Sequence, residues 1–333
     1  MPNNVFCACC FQEGQALIHE RKRGAVMHTA AVTDTQALRK RKRRTPIDYA
    51  GYVLMGPGYI VYFAFIFIPL LIGLYYSFTN YNFYSKPGFV GLQNYIRLFQ
   101  DKLFLTAVYN TFIYSLCSIL PQMMLGLLLA VLLNGRLKGR IFARVSIYVP
   151  NVTSMVAVSM IWLWIYDPSL GIMNRLLRTV GLDPVQWLYD PKTAMGAIIV
   201  IGIWKSIGYT MIVYLSGLQS IPSNLYEAAH VDGASSIRQF FTITLPMLKP
   251  TTFFILVMSC INSFMVFEQV NILTNGGPLN STTTIVHQIY LRGFQDFQMG
   301  YASAMAMVLF VITMLITVVN FRFGNQGNDL DVD

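Results

Sequence analysis

The chain has 333 residues, of which 55% are hydrophobic and 12% charged, and its mean hydropathy is +0.51. Soluble domains carry about 25% charged residues, so this composition excludes an ordinary water-soluble domain and indicates a membrane protein. The formal net charge of +9 does not indicate a nucleic-acid surface, because nine of the 24 Lys and Arg residues lie before residue 45.

Residues 1–49 form a basic N-terminal tail. By itself, the run from Arg39 to Arg44 resembles a nuclear-localisation or heparin-binding motif. Its position just before the first apolar stretch favours a topology determinant that meets anionic lipid headgroups. A metal site is not expected in this chain, because no paired His or second CxxC completes a ligand set with the tail cysteines. Those cysteines are Cys7, Cys9 and Cys10.

Six apolar stretches are long enough to cross a bilayer as helices, which need about 20 residues each. They are 51–78, and stretches within 103–135, 145–166, 193–219, 251–273 and 301–321. Long apolar runs without the alternation of barrel strands select helices in lipid. The fold class predicted is therefore all-α, a polytopic protein with six transmembrane helices in a domain covering residues 50–323.

The distribution of positive charge predicts the orientation of these spans. With the N-terminus inside, the inner segments hold 16 Lys and Arg residues and the outer loops hold seven. Lys and Arg are retained on the cytoplasmic side, so both termini are predicted to be cytoplasmic, including a short acidic C-terminal tail at 324–333.

The inner loop between the fourth and fifth spans, residues 222–246, has helical start and stop signals. Asn224 followed by Glu227 has capping-box spacing, and Gly233 is typical of a helix end, so a short helix is predicted between them. Ser236 with Gln239 repeats the capping pattern, and the next proline is expected to end a second short helix.

This loop is therefore expected to bind a protein partner. Small residues allow close backbone approach, and its carboxylates suit a basic cleft on that partner. The alternative is an amphipathic segment on the bilayer surface, but residues 223–237 contain no Lys or Arg, which such helices favour.

The same loop resembles the EAA signature of the permease subunits of ABC importers. The matching positions are Glu227, Ala228, Ala229, Gly233, Ile243, Leu245 and Pro246, with Asp232 beside the glycine. The segments 89–95, 110–111, 273–278 and 282–284 resemble the carbohydrate-uptake branch, the maltose and glycerol-phosphate type permeases. Together these segments cover most of residues 50–321, whereas the cysteine cluster is foreign to the family pattern.

The resemblance implies a type I importer permease fold and a function in sugar import. It implies that 222–246 is the coupling segment that docks on a dimeric ATPase, with a second permease and an extracytoplasmic binding protein as further partners. The protein is expected in the bacterial inner membrane. No GxxxxGK[ST] loop occurs, so ATP and Mg²⁺ are expected on the partner ATPase and no cofactor or catalytic site on this chain.

A substrate pathway is predicted along the fourth and fifth spans, because polar side chains inside spans are costly and default to function. By counting from the signature loop, the resemblance places the sugar site on Ser206, Tyr209, Ser259, Asn262 and Ser263. Trp204 could stack on a sugar ring. Lys205 and Glu268 could pair or line the pathway, or could lie near helix ends and reach the interface.

Two other classes of protein are weighed against the importer. An ion-coupled transporter also uses polar groups near the midplane, but Glu268 is the sole carboxylate within the spans. An intramembrane zinc protease would need HExxH, and the four histidines do not have that spacing. Within the importer class, glycerol-3-phosphate remains an alternative substrate.

Overall fold

The computed structural model describes residues 46–135 and 138–324, and in that part of the chain every regular element is helical. The helices are α1 (Pro46–Tyr62), α2 (Ile68–Ser77), α3 (Gln93–Gln100), α4 (Lys102–Asn134), α5 (Arg140–Val152), α6 (Met155–Ile165), α7 (Ile172–Thr179) and α8 (Ala194–Ser220). They continue with α9 (Ser223–Val231), α10 (Ser236–Gln239), α11 (Leu245–Met247), α12 (Lys249–Phe264), α13 (Glu268–Leu273), α14 (Ile285–Tyr290) and α15 (Met299–Gly324). Single π turns occupy Phe63–Phe67, Phe240–Thr244 and Leu291–Gln295. The predicted all-α fold class is confirmed.

Five helical stretches are long and apolar enough to cross a membrane. They are Gly51–Ser77, Lys102–Asn134, Ala194–Ser220, Lys249–Leu273 and Met299–Arg322. The predicted third span is instead divided into α5 and α6, which meet at a bend of 101°. The total reaches the expected six if this pair counts as one span. The fifth span is also interrupted, because residues 265–267 separate α12 from α13.

The described residues divide into two compact units, with the boundary between Pro69 and Leu70. In the first unit, helix α1 and its π turn bury no side chain from residue 51 onward. In the second unit, buried apolar side chains gather in three clusters. One joins α4, α6, α8 and α13, a second joins α4, α8 and α12, and the third joins α4, α12, α14 and α15.

Helix α8 packs along both α4 and α5 because glycines allow the backbones to approach closely. A Cβ atom at Gly126 of α4 would lie 2.5 Å from Cγ2 of Thr210 on α8. A Cβ atom at Gly208 of α8 would collide with the backbone of Ile147 on α5. Larger residues at either position would push apart the helices that surround the site described below.

Two details of the inner loop differ from the sequence-based expectation. Helix α9 has Pro222 at its N-cap, so Asn224 lies inside the first turn and does not cap it. The second start is one residue earlier than expected, because the side chain of Ser235 accepts the backbone N–H of Arg238. Gly233 ends the first helix as predicted, with a left-handed φ of +74°.

The prediction that Pro246 ends the second short helix is wrong. The chain passes from α10 through the π turn into α11, which contains Pro246, and then into α12. In the π turn the N–H of Leu245 bonds to the carbonyl of Phe240, five residues back. This widened turn comes just before the proline, which has no N–H to donate, so the chain stays helical past it. The loop is therefore joined to the fifth span by nearly continuous helix.

Residues 274–288, which follow α13, form a polar segment that is hydrogen-bonded to α4. The side-chain amide of Asn110 donates to the carbonyls of Asn280 and Thr283, each at 3.0 Å. The hydroxyl of Thr111 accepts the N–H of Ile285 at 3.1 Å. Gly276 and Gly277 lie in the turn that opens this segment rather than in a helix.

This polar segment contains a buried histidine, His287. Gln288 donates to the hydroxyl of Thr283, which in turn faces Nδ1 of His287 at 3.1 Å. Nε2 of the same ring lies 3.3 Å from Oδ1 of Asn275. This chain of contacts fits a neutral imidazole protonated on Nε2. Burial accordingly lowers the pKa of His287 below its ordinary value of 6.5.

Candidate functional site

A polar cavity of about 330 Å³ lies between helices α4, α8 and α12. Helix α8 contributes Ser206 and Tyr209, which are three residues apart and share a face. Helix α12 contributes Ser259, Asn262 and Ser263 from one face by the same spacing. The structure thus brings together all five polar residues that the sequence analysis placed in the substrate site, and their role in binding stays a prediction.

Helix α4 contributes a third wall that the sequence analysis missed. Tyr114, Ser118 and Gln122 line the cavity from successive turns of this helix. Their spacing of four residues puts them on one stripe of an otherwise apolar span, and that stripe is the signal that could have identified them. Asn151, at the end of α5, lines the cavity as well and was also missed.

The cavity wall is only partly paired internally. Nε2 of Gln122 donates to Oγ of Ser259 at 2.6 Å, and Ser115 contacts Ser263 through their hydroxyl groups. Among the described residues, the side chains of Asn262 and Tyr209 make no hydrogen bond to another protein group. The cavity therefore presents an amide and a phenol that are free to pair with a ligand.

A second cavity of about 480 Å³ shares three lining residues with the first, Tyr114, Ser206 and Asn262. Its other lining residues are Met155, Gly202, Lys205, Met265, Val266, Phe267, Glu268, Gln269 and Val286. The shared residues make the two cavities parts of one polar region. The 480 Å³ cavity holds the two charged side chains of the predicted pathway, Lys205 and Glu268.

Lys205 and Glu268 do not form an ion pair in the part of the chain that the structure describes. The amine of Lys205 instead donates to the carbonyls of Pro150, Asn151 and Thr153, where α5 ends. Glu268 is exposed at the first position of α13. Its carboxylate accepts no hydrogen bond from the described residues.

Trp204 is not brought to either cavity. Its indole is 41% exposed and packs edge-on against Trp162 of α6, with ring centroids 5.6 Å apart. Tyr114 of α4 lines both cavities, and its hydroxyl accepts the side-chain amide of Gln269 at 2.6 Å. Aromatic rings in the 330 Å³ cavity therefore come from Tyr209 of α8, as predicted, and from Tyr114, but not from Trp204.

The signature loop forms a second candidate site, separate from the cavities. In α9, Glu227 and Ala228 are exposed, while Tyr226 and Ala229 are half-buried. The hydroxyl of Tyr226 lies 2.9 Å from Oγ1 of Thr244, which fixes α9 against the segment that follows it. The inward side of the helix is thereby attached to the bundle, and the signature residues face outward.

The other signature positions are exposed or half-buried, and the same loop exposes apolar side chains. Asp232 and Gly233 are exposed at the end of α9, Leu245 is exposed on α11, and Ile243 and Pro246 are half-buried. Beside them are three exposed apolar side chains, Val231, Ile237 and Phe241. Exposed apolar residues grouped with carboxylates are typical of a protein contact surface.

The family comparison identifies this architecture. Residues 122–325 match the family described as binding-protein-dependent transport system inner membrane component. The chain belongs to this family. The match contains α8, the signature loop and α12, whereas the cavity residues Tyr114 and Ser118 of α4 lie before it.

Individual relatives and solved structures agree with the family. The probable ABC transporter permease protein YurN of Bacillus subtilis is 36% identical over 283 residues, which are 84% of this chain and 97% of the relative. The sn-glycerol-3-phosphate transport system permease protein UgpA of Agrobacterium fabrum is 34% identical over 276 residues, which are 82% of this chain and 93% of the relative. A crystal structure of a bacterial ABC transporter that imports the acidic polysaccharide alginate matches with 30% identity and a TM-score of 0.76. That match covers 85% of this chain and 98% of the other.

These findings confirm several predictions. The resemblance to ABC-importer permeases, the permease fold and the multi-pass inner-membrane location are all correct. The chain is a membrane-spanning permease subunit of a binding-protein-dependent ABC transporter. Family membership also decides between an importer subunit and an ion-coupled transporter, in favour of the importer subunit.

Proposed function

We propose that this permease imports a neutral saccharide, delivered by an extracytoplasmic binding protein, through a pathway formed with a second permease. The observation that carries the proposal is the connection between the two candidate sites. The signature loop joins α8 to α12, and these two helices supply six of the ten residues that line the 330 Å³ cavity. A displacement of the loop would therefore act on both sides of the cavity.

The loop 222–246 is the proposed docking site for an ATPase dimer. Glu227 and Asp232 offer exposed carboxylates, and Val231 and Phe241 offer apolar area beside them. Closing of the ATPase dimer around ATP and Mg²⁺ would move α9, and the nearly continuous helix from α10 to α12 would transmit that motion. ATP hydrolysis belongs to the partner subunits, and this chain contributes the moving pathway.

We infer the orientation of the chain in the membrane from the distribution of its Lys and Arg residues. The cytoplasmic side takes the basic tail 1–49, the signature loop and the acidic tail 324–333, because 16 Lys and Arg residues lie on that side and seven on the other. The membrane domain is residues 50–323. Cys7, Cys9 and Cys10 lie outside the described residues, and no role is proposed for them.

The residues that line the two cavities favour a neutral saccharide as the substrate. The amide of Asn262 and the phenol of Tyr209 suit sugar hydroxyls, and Tyr114 offers an aromatic face. The free carboxylate of Glu268 would repel a phosphate, whereas the amine of Lys205 is already held by three carbonyls. Glycerol-3-phosphate, the substrate named for one relative, is therefore less suited to this site.

Co-purification after detergent extraction tests the importer assignment. The native chain should be recovered with an ATPase pair and a second permease. Ala228→Arg adds bulk and charge on the exposed side of α9 and should lose the ATPase while keeping the second permease. Thr179→Arg places the same side chain at an exposed position of α7, outside the loop, and should keep both. A native chain recovered alone would contradict the proposal.

Transport kinetics of the reconstituted complex test the substrate site. Asn262→Ala removes the free amide and should raise KM about tenfold, because a lost hydrogen bond to a ligand is worth about 1.4 kcal/mol. Thr317→Ala on α15, which lines neither cavity, should leave KM unchanged. Inhibition of uptake by glycerol-3-phosphate, but by none of a panel of neutral saccharides, would overturn the neutral-sugar assignment.

A further inference from the structure

The break between α5 and α6 exposes backbone groups inside the membrane domain. Helix α5 ends at Val152, and Thr153 and Ser154 adopt extended conformations before α6 turns away by 101°. The last four carbonyls of a helix have no intrahelical partner, and within lipid an unpaired carbonyl costs several kcal/mol. The hydroxyl of Thr153 donates to the carbonyl of Pro150 at 2.7 Å, and the carbonyls of Asn151 and Thr153 need donors from another part of the chain.

Lys205 supplies those donors from the neighbouring helix. Its Nζ atom lies 3.3 Å from the carbonyl oxygen of Pro150, 3.1 Å from that of Asn151 and 2.7 Å from that of Thr153. An ammonium group has three N–H donors, which is the number of carbonyls it meets. Its positive charge also lies at the C-terminal end of α5, where the helix dipole favours a cation.

The same contacts determine where Asn151 lies. Asn151 is part of the lining of the 330 Å³ cavity, and its own carbonyl is one of the three that Lys205 holds. The side chain of Lys205 lines the adjoining 480 Å³ cavity. The amine thus connects α8, which carries Ser206 and Tyr209, to the end of α5.

We propose that Lys205 is a positioning residue that maintains the bend between α5 and α6 and thereby holds Asn151 in the substrate cavity. The functional part of this inference rests on the proposed substrate site, whereas the structural part does not. In the absence of the amine, the freed carbonyls gain most by continuing the helix, so the α5–α6 pair should straighten. Asn151 then leaves the cavity wall.

A distance measurement tests the structural part without any transport assay. Spin labels are placed at Ile141 and Trp164, both exposed, in the purified complex after the native cysteines are replaced by serine. Two arms meeting at the observed bend bring the Cα atoms of these residues to about 21 Å, and one straight helix would separate them by about 35 Å. Lys205→Met should lengthen or broaden the distance distribution. Lys205→Arg, which keeps the charge and the donors, should retain the short distance.

An unchanged distribution in Lys205→Met would overturn the proposal. If that complex does not assemble, Lys205→Gln is measured instead, since its amide keeps two donors without the charge. A partial shift toward the longer distance is expected for this variant. A distribution identical to that of the native chain would again overturn the proposal.

Transport kinetics test the functional part through non-additivity. Lys205→Met and Asn151→Ala should each raise KM severalfold, and the double variant should be no worse than Lys205→Met alone, because Asn151 has already left the cavity. If the two substitutions multiply their effects on KM in the double variant, the positioning role of Lys205 is overturned. If Asn151→Ala and Asn262→Ala both leave KM unchanged, the proposed substrate site fails, and the label distances still decide whether Lys205 maintains the bend.

Discussion

Helix α4 carries two polar regions that behave differently. Near its start, Asn110 and Thr111 are buried, and they pair with backbone groups of residues 280–285. Two turns further on, Ser118 and Gln122 face the cavity, where neighbouring polar atoms of α8 and α12 remain unpaired. A buried polar group that is fully paired holds the fold together, whereas a polar wall with spare hydrogen-bonding capacity is available to a ligand.

The largest expected effect is a loss of stability when the paired region of α4, at Asn110, is changed. Asn110→Leu keeps the number of side-chain heavy atoms but leaves the carbonyl of Thr283 without a donor and that of Asn280 with only the N–H of Thr283 at 3.4 Å. We expect a loss of about 3 kcal/mol in the free energy of unfolding, since each unpaired buried carbonyl costs about 1–3 kcal/mol. Thermal unfolding of the purified protein measures it. Thr106→Val changes an exposed residue of the same helix and should have little effect on stability. Equal losses of stability in the two variants would contradict the difference between the two polar regions of α4.

The cavity region should give the opposite result. Gln122→Leu removes the amide that bonds Ser259 at 2.6 Å, but the freed hydroxyl faces a cavity that water can enter. We expect the unfolding temperature to change little and the KM for transport to rise about tenfold, which corresponds to about 1.4 kcal/mol. A stability loss as large as that of Asn110→Leu, with unchanged KM, would show that this region is structural too.

The smallest expected effect is on the pH dependence of stability, and it comes from His287 in the polar segment 274–288. Burial lowers the pKa of His287, so between its folded and unfolded pKa values the unfolded chain binds more protons. Its contribution to stability is therefore complete above about pH 6.5 and is lost progressively as the pH falls below that value. Unfolding temperatures measured from pH 7.5 to 5 should fall less steeply in His287→Gln. The exposed control His230→Gln should keep the slope of the native chain.

The sequence predicted best what depends on neighbouring residues. Apolar runs located five membrane-crossing helices, because the transfer of a helix into lipid depends on its own side chains. Gly233 predicted the end of α9, because a left-handed φ is a local requirement. The five polar residues on α8 and α12 were placed by their distance from the signature loop, and the structure brings them into one cavity.

Local signals failed where a π turn or a distant contact compensates a local cost. Pro246 reads as a helix stop, yet the π turn before it lets the chain continue as helix. The apolar stretch 145–166 reads as one span, yet α5 and α6 meet at 101°, where Lys205 supplies the missing donors from 52 residues away. Trp204 was expected at the site, yet it packs against Trp162, and Tyr114 of α4 lines both cavities.

Sequence alone thus determined that the chain spans the membrane as helices, and where the signature loop lies. The tertiary structure decided which residues of α4 face the cavity, how the third span is broken and what holds the break. The physical reason is that hydropathy and turn conformation are properties of adjacent residues. The pairing of a lysine with carbonyls on another helix exists only after the helices have packed.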